Sequence, residues 1–525
     1  MQLVAEVPAY IYKFRNLKIY MTEKTTKLDR ETKTEKIFSM ASNRGFFFNT
    51  ANIYGGKAGF FTYGHLGKSL KNNWESLWKK HFLNLNENFH EIQSNSILPE
   101  SVFKASGHIE NFNDPLVECK KCNSRFRADH ILEEDGLEDA EALSLEEMNK
   151  EISNRGLKCQ KCKGELIDAR QFNMMFPIEI GFSGDKAYLS PETAQGAFLT
   201  FKDEFFATRS KLPLGLAIVD KAYRNEISPR QGFFRLREFT QAELQIFFDA
   251  DLINEHKNWK EVENKTLLIK FAGEKEIKEI TCKELNSKHK IPKFYIYHAS
   301  KVQDFYLEKA GVPKEKFRLR ELDEKERAFY NKIHFDVEVD FGTLGGFKEV
   351  GGVHYRTDHD LTGHQKVSKK NLMVNIEGKK FIPHVLELSF GVDRNVFMLL
   401  DMFFDEKEGN NILKLPLKLA PTKVAIFPLV KKDEKLVQTA KDLHKELREE
   451  YDVIYDEAGS VGKRYARNDE AGTPFCITVD GESEEDKSIT IRNRDDGEQK
   501  RVKIDETKDT LRKLISGEIE FKELC

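Results

Sequence analysis

Tyr223–Phe248 reads YRNEISPRQGFFRLREFTQAELQIFF, and how this stretch folds decides what the rest of the chain is built to support. Two extended runs flank Ser228-Pro229-Arg230-Gln231-Gly232, whose proline and glycine are turn residues, so the stretch predicts an antiparallel hairpin with a five-residue loop. Along a strand, residues two apart share a face. Arg224 then stands with Glu226, and Arg235, Arg237, Phe239, Gln241, Glu243 and Gln245 stand together on the second arm. The opposite face of that arm, Phe234, Leu236, Thr240, Ala242, Leu244 and Ile246, is mostly apolar and suits a core. The residues alone leave two readings open. One is a floor for a charged, flat-ringed ligand, made of guanidiniums, carboxylates and an aromatic ring. The other is a solvated edge hairpin with cross-strand ion pairs.

The chain has 525 residues, long enough for several structural units with buried cores. Its net charge of −3 excludes a generally basic nucleic-acid binder, so any RNA contact must come from local patches. No apolar run approaches the roughly 18 residues that span a bilayer, and no membrane partner is expected. In the first twenty residues, MQLVAEVPAYIYKFRNLKIY, Glu6 and Pro8 interrupt the apolar run and no small-residue cleavage site follows, which argues against a secretory signal. Either Met21 is the true start or the segment is an ordinary strand. Seven cysteines without a signal point to a reducing, cytoplasmic compartment.

Working outward from the hairpin, Leu66, Leu70, Trp74, Leu77, Trp78 and Phe82 fall three or four apart and predict an amphipathic helix, followed by an extended segment ending near Pro99. Cys119-x-x-Cys122 and Cys159-x-x-Cys162 supply four thiolates, enough to close a tetrahedral structural zinc site with no open position; a redox pair or plain buried thiols is the alternative. Between them, Leu137–Ile152 is acidic and predicted helical. Residues 252–329, rich in Lys and Glu, read as an insertion, with a basic knot at Lys316–Arg320 that is either a contact for RNA or, the favoured reading, a solvated face. After a linker over Asp405–Pro421, strands and helices alternate, which predicts a separate α/β domain with a mixed sheet.

Arg224-x-Glu226, a loop, then Arg235-x-x-x-Phe239 resembles motif 2 of the class II aminoacyl-tRNA synthetases. The wording RNEISPR…REFTQAE resembles the glycyl-tRNA synthetases of the dimeric, single-polypeptide type. The likeness extends to PETAQG at Pro191–Gly196, to Glu349, Arg356 and Asp360-Leu361, and to a motif 3 at Glu387-x-Ser389-x-Gly391-x-x-Arg394. The helix from Leu66 with its following strand resembles motif 1, which builds the dimer interface in that family. Two departures are His65 and Leu388, each where relatives usually carry proline; neither removes a functional group. GSVGKRYARNDEAGTPFCITVD and TIRNRDD resemble a class IIa anticodon-binding domain.

The resemblance implies an α+β protein. Residues 1–40 would be an N-terminal extension, and 41–415 an antiparallel-sheet class II catalytic domain with insertions at about 110–170 and 252–329. Residues 416–525 would be an α/β anticodon-binding domain. It implies ATP-dependent attachment of glycine to tRNA(Gly) through a glycyl-adenylate, by a homodimer using magnesium. Arg224 would bind the α-phosphate, Arg235 the far phosphates, and Phe239 and Arg394 would sandwich adenine, with Glu226 near the nucleotide or the tRNA 3′ end. Glu192, Glu243 and Glu387 would surround the glycine ammonium, Arg356 would take its carboxylate and Ser389 would close the α-carbon side. Three carboxylates around one ammonium leave no space for a side chain, and glycine has no smaller rival to edit away. Arg464, Arg467, Arg492 and Arg494 would face tRNA. Two alternatives stay open: another class IIa synthetase, and a catalytically inactive synthetase-like nucleic-acid-binding subunit.

Overall fold

The computed structural model describes residues 30 and 32–524, apart from 138–139, 141–142, 183, 228, 230–231, 329 and 408. The expectations for residues 1–20, and for Ser228, Arg230 and Gln231 of the hairpin loop, lie outside the described residues.

A nine-stranded sheet forms the larger unit. From one edge it runs Lys278–Thr281, Thr266–Lys270, Phe317–Glu321, Ile333–Phe341 and Gly346–Thr357, and then His384–Gly391, Glu238–Phe248, Leu214–Tyr223 and Phe89–Glu91. All neighbours are antiparallel except two pairs, Phe89–Glu91 with Leu214–Tyr223 and Thr266–Lys270 with Phe317–Glu321. Strand alternation divides the sheet into an apolar and a polar face. Ala242, Leu244, Ile246, Leu388 and Phe390 point to one side, into a core with Leu70, Trp74, Trp78 and Phe82 of the helix His65–Leu83 and with Val396–Leu400 of the helix Val392–Phe403. On the other side stand Glu243, Gln245, Glu387 and Ser389, opposite one another in register: Glu243 pairs with Ser389 and Gln245 with Glu387. The helix Ala194–Ala207 closes one end of that face, packing Ala197, Phe198, Phe201 and Phe205 on Leu216, Ile218, Phe247 and Val385. It can approach only because residue 196 is glycine; a Cβ there would lie 2.2 Å from Ser94 Oγ.

The hairpin is longer than its sequence suggests. Leu214–Tyr223 and Glu238–Phe248 are its arms, paired from Leu214 opposite Phe247 to Tyr223 opposite Glu238. Arg224, Glu226 and Arg235 therefore lie in the connection between the arms, which includes a 3-10 turn over Gly232–Phe234. This corrects the five-residue loop. Tyr223 and Glu238 end the ladder because Arg237 turns its guanidinium across the connection to the Glu226 carbonyl (2.8 Å) and to the Ala58 carbonyl (2.9 Å).

Residues 252–329, expected as an insertion, supply three strands to the same sheet, and their helix Lys293–Asp304 packs into the same core. The basic knot is neutralised on a strand: Arg318 pairs with Glu338 at 2.5 Å and Arg320 with Asp336 at 3.5 Å. In the cysteine-bearing segment, the helix expected over Leu137–Ile152 begins later, at Leu145–Asn154, where Ser144 and Glu147 form a capping box.

The C-terminal unit has its own core. Its sheet runs Val453–Tyr455, Val424–Pro428, Phe475–Val479, Ser488–Asn493, Gln499–Lys503, the first three parallel to one another and the last two antiparallel. The helices Glu434–Leu447 and Thr507–Ser516 bury Leu436, Leu443, Leu511 and Leu514 on one face. Tyr465 of the helix Val461–Ala471 packs on the other, against Ala425, Phe427 and Cys476.

Candidate active site

On the polar face of the large sheet lies a cavity of about 370 Å³ whose walls include Glu192, Arg224, Glu226, Arg235, Phe239, Glu243, Glu349, Glu387, Ser389 and Arg394. A larger groove, about 940 Å³, lies at the sheet edge between residues 86–90, 207–213 and 248–257, and gathers none of these groups. The smaller cavity has an acidic floor and a rim of arginines.

The floor is an unbalanced ion cluster. Arg356 sits at a bulge, where Tyr355 opposes Leu386 and Thr357 opposes Val385, so the extra residue is swung under the neighbouring strand. Its guanidinium is 1% exposed, and it donates to Asp360 from Nε (2.9 Å) and Nη2 (3.1 Å), to Glu387 from Nη1 (2.8 Å) and to Glu192 from Nη2 (3.5 Å). Its planar faces are covered by Tyr330 (4.3 Å) and Phe198 (5.2 Å). Glu243 receives hydrogen bonds from Thr193 Oγ1 (2.7 Å) and Ser389 Oγ (2.8 Å), but no cation pairs with it among the described residues.

The titration behaviour follows from this geometry. Burial pushes Glu243 up to about 8, with Glu387 and Glu192 adding repulsion. Burial also raises Glu387 above the usual carboxylate range, against the pull of Arg356. For Glu192 burial pushes the same way, but Arg356 and then His108 outweigh it and hold the group well below that range. His354, 3.4 Å from Glu387, is kept neutral because burial and His334 drive its pKa well down. Four carboxylates thus share one permanent cation, and the free space beside Glu243 favours a small positive group.

The rim is open and cationic. Arg224 donates from Nε to the Pro191 carbonyl (3.1 Å) and stands 5.3 Å from the ring centre of Phe239 and 5.4 Å from that of Phe112. Arg235 reaches Glu226 at 3.3 Å and His130 at 3.0 Å. Arg394 pairs with Glu349 at 3.0 Å and lies over Phe234, 5.5 Å from its ring centre. Asp393, next to Arg394, is fixed by Lys71 Nζ (3.1 Å), Tyr63 OH (2.6 Å) and the Thr240 amide (2.5 Å), which ties the motif 3 helix to the strand bearing Phe239.

The four cysteines converge. Their Sγ atoms lie within 4.8 Å of one another, with Cys119–Cys162 at 3.5 Å and Cys122–Cys159 at 3.6 Å. Tetrahedral zinc with bonds of about 2.3 Å to sulfur needs S–S edges of about 3.8 Å. Each knuckle turns the same way: Asn123 (φ 53°) and Lys163 (φ 58°) adopt the left-handed region, and their amides bond back to the Cys119 and Cys159 carbonyls. A Cβ at Gly164 would lie 3.1 Å from Cys119 Sγ, so the thiols are closely walled. The set fits a structural metal.

Arg356, expected at the substrate carboxylate, is buried beneath the cavity and engaged by three protein carboxylates. Arg464 and Arg494 do not face tRNA: each is 2% exposed. Arg464 donates to the carbonyls of Pro428, Glu457 and Gly459, and Arg494 to those of Gly472 and Leu415 and to Asp495. Arg492 lies in a bidentate pair with Asp469 (2.8 and 3.0 Å). Arg467 is the most exposed of the four, with 32% of its side chain in contact with solvent.

Residues 179–403 match the family described as the tRNA synthetase class II core domain (G, H, P, S and T), and residues 423–514 match the anticodon binding domain. The chain is 38% identical to the glycine–tRNA ligase of Pyrococcus furiosus over 571 aligned positions, covering 92% of this chain and 99% of that relative. The chain belongs to the glycine–tRNA ligase family. The glycine–tRNA ligase of Thermococcus gammatolerans is 38% identical, with 93% and 100% covered, and that of Methanococcus maripaludis strain C7 is 36% identical, with 90% and 98% covered. No helix among the described residues is long and apolar enough to cross a membrane. Within this member of the glycine–tRNA ligase family, residue-level reading missed Thr193, His108 and His354 beside the glutamates, and Asp114, Arg127 and His130, which the cysteine-bearing segment brings to the rim. Strand alternation pointed to Gln241 and Gln245, the quoted motifs contained Thr193 and Asp360, and His108, Arg127 and His130 stand in two runs, GHIENF and FRADH, that resemble the family without assigning them a role; nothing local marked Asp114 or His354.

Proposed function

We propose that the chain attaches glycine to tRNA(Gly) in two steps, using ATP. A glycine carboxylate oxygen attacks the α-phosphorus, pyrophosphate leaves and glycyl-adenylate forms. A ribose hydroxyl of the tRNA 3′ end then attacks the glycyl carbonyl and AMP departs. Charge in the first step spreads over phosphoryl oxygens, so positioning and cationic stabilisation matter more than a protein nucleophile.

The observation that carries this reading is the acid cup beside the arginine rim. In the cup the glycine ammonium supplies the missing cation among Glu192, Glu243 and Glu387, with Ser389 against the α-carbon. Glu243 is held between two hydroxyls and the other carboxylates by burial, so a Cβ would have to displace one of these groups. Arg224, whose Nη groups have no protein acceptor among the described residues, grips the α-phosphate. Because the attacking carboxylate lies against that phosphate, the same fork is placed to hold the substrate carboxylate, with the buried Arg356 fixing the glutamates below it. Arg235, paired with Glu226, binds the far phosphates, and Phe239 and Arg394 enclose adenine. Magnesium accompanying ATP would neutralise phosphate charge, with Glu349, on the cavity wall, as its carboxylate neighbour.

The same reading assigns zinc to Cys119, Cys122, Cys159 and Cys162, an anticodon-reading role to the C-terminal unit, a cytoplasmic setting, and a homodimer formed at the sheet edge that ends in Phe89–Glu91. ATP–pyrophosphate exchange with each of the twenty amino acids tests the central point. Exchange driven by glycine supports it; exchange driven by another amino acid assigns a different class IIa specificity, and none at all marks an inactive binding subunit. Sizing and metal analysis of the purified protein check the dimer and the zinc.

A further inference from the structure

The cysteine-bearing segment does more than decorate the core: Asp114 and Arg127 line the cavity, and His130 touches an arginine of its rim. The strand Arg125–Arg127 begins three residues after Cys122 and leads directly into the helix Ala128–Glu134, whose Ala128, Ile131 and Leu132 pack in one small core with Cys119 and Cys159. His130 projects from this helix to Arg235, its Nε2 3.0 Å from Nη2. A guanidinium has only donors, so His130 must be the acceptor and must be neutral, with its proton on Nδ1. Burial, then the Arg235 and Arg127 guanidiniums, push its pKa down to about 4, which keeps it an acceptor at neutral pH. Arg127 is clamped between Asp114 (3.0 Å) and Asp129, so it is not available to displace Arg235.

Arg235 lies in the connection between the hairpin arms, where no ladder hydrogen bond fixes the backbone. Its side-chain partners are Glu226 at 3.3 Å on Nη1 and His130 on Nη2. One carboxylate contact lets the fork swivel; the second contact sets the plane of the guanidinium. We propose that His130 is a positioning residue for Arg235, by which the cysteine-bearing module orients the cation that receives the β- and γ-phosphates of ATP. This inference rests on the assignment of Arg235 to those phosphates. An aligned fork costs less to immobilise when the nucleotide arrives, so the effect belongs to ATP and not to the amino acid.

The test uses the full chain with three variants, His130→Ala, His130→Gln and Arg235→Ala, measuring KM for ATP and for glycine by pyrophosphate exchange and equilibrium binding of ATP and AMP. His130→Ala is expected to raise KM for ATP by roughly tenfold while leaving the glycine KM and AMP affinity within about twofold. His130→Gln, whose amide oxygen can accept in place of Nε2, is expected to recover most of the loss. If Arg235→Ala weakens ATP binding but His130→Ala does not, the inference is overturned and the reading of Arg235 stands. If Arg235→Ala leaves ATP binding intact, the phosphate assignment fails and the inference with it. Equal losses for ATP, AMP and glycine in His130→Ala would mean a general structural role, and would also overturn it.

Discussion

Around the cavity, arginines hold donors ready for something the protein does not supply, whereas in the C-terminal unit the same residue type closes the fold on itself. Among the described residues Arg224 has one acceptor, a carbonyl on Nε, and Arg235 and Arg394 keep 24% and 28% of their side chains exposed. Arg464 and Arg494 are buried and donate from both Nη groups to backbone carbonyls, although the buried Nε of Arg464 has no acceptor among the described residues. Arg356 shows that location in the catalytic unit does not decide the matter, since it is as enclosed as those two. What separates a binding arginine from a structural one is whether the Nη groups of its fork are already matched, because a matched donor cannot serve a ligand without losing its partner.

The sharpest way to break the contrast is Arg224→Ala. With little protein bonding lost, the fold should keep its thermal midpoint within a degree or two, while the rate of glycine-dependent exchange falls at least about a hundredfold. Wild-type exchange in this variant would remove Arg224 from the chemistry. Arg464→Ala should do the reverse. Leaving the Pro428, Glu457 and Gly459 carbonyls without a donor should destabilise the C-terminal unit by about 2 kcal/mol in denaturant unfolding, with exchange unchanged within about twofold. Should Arg464→Ala unfold normally yet lose tRNA charging, the buried arginine would be acting on RNA after all.

The difference between these arginines was only partly legible beforehand. Phe239, Gln241, Glu243 and Gln245 were read correctly as one face because a strand has a period of two and nothing interrupts it from Glu238 to Phe248. Arg224, Glu226 and Arg235 were placed on strands because an irregular connection can reproduce two-residue spacing by chance; the ladder ends at Tyr223 for reasons of distant packing, including the Ala58 carbonyl. The enclosure of Arg356 depends on Glu192, Asp360 and Glu387 arriving from three elements, and no local pattern encodes that. Arg464 was different. On the helix Val461–Ala471 its position is in phase with the buried Asn468 and Ala471, so helical period alone could have turned it inward. The cysteine pairs announced themselves by spacing, whereas His130 stood only at the end of a run, FRADH, that resembles the family, and nothing local tied it to Arg235.

The acid cup supplies an intermediate effect, one that titrates. Glu243, raised to about 8, is mostly protonated at pH 6 and must ionise to match an ammonium. KM for glycine should therefore fall roughly fiftyfold from pH 6 to pH 8. Linkage gives the sign for stability: a carboxyl with an ordinary unfolded pKa of about 4.3 binds more protons folded than unfolded, so the empty protein loses stability as pH rises from about 4.3 to 8. Glycine supplies the counter-charge, and its stabilising thermal shift should be larger at pH 8 than at pH 6. A flat glycine KM across that range, or a shift that shrinks with pH, would show that the cup is not short of a cation.

Arg467 tests the contrast where it is weakest, because it belongs to both classes. Its Nη2 donates to Asp456 (2.5 Å) and to the Ala458 carbonyl (2.7 Å), which resembles the buried pair, yet about a third of the side chain is exposed on a helix face that also carries Lys463. An exposed arginine with one carboxylate partner can exchange that partner for a phosphate at little net cost, since a surface ion pair contributes only about 0–1 kcal/mol. Arg467→Ala should raise KM for tRNA about threefold, more at low salt than at high salt, and leave glycine activation untouched. If tRNA KM does not move but the unfolding midpoint drops as in Arg464→Ala, Arg467 is structural, and the RNA-binding surface must be sought outside the four arginines.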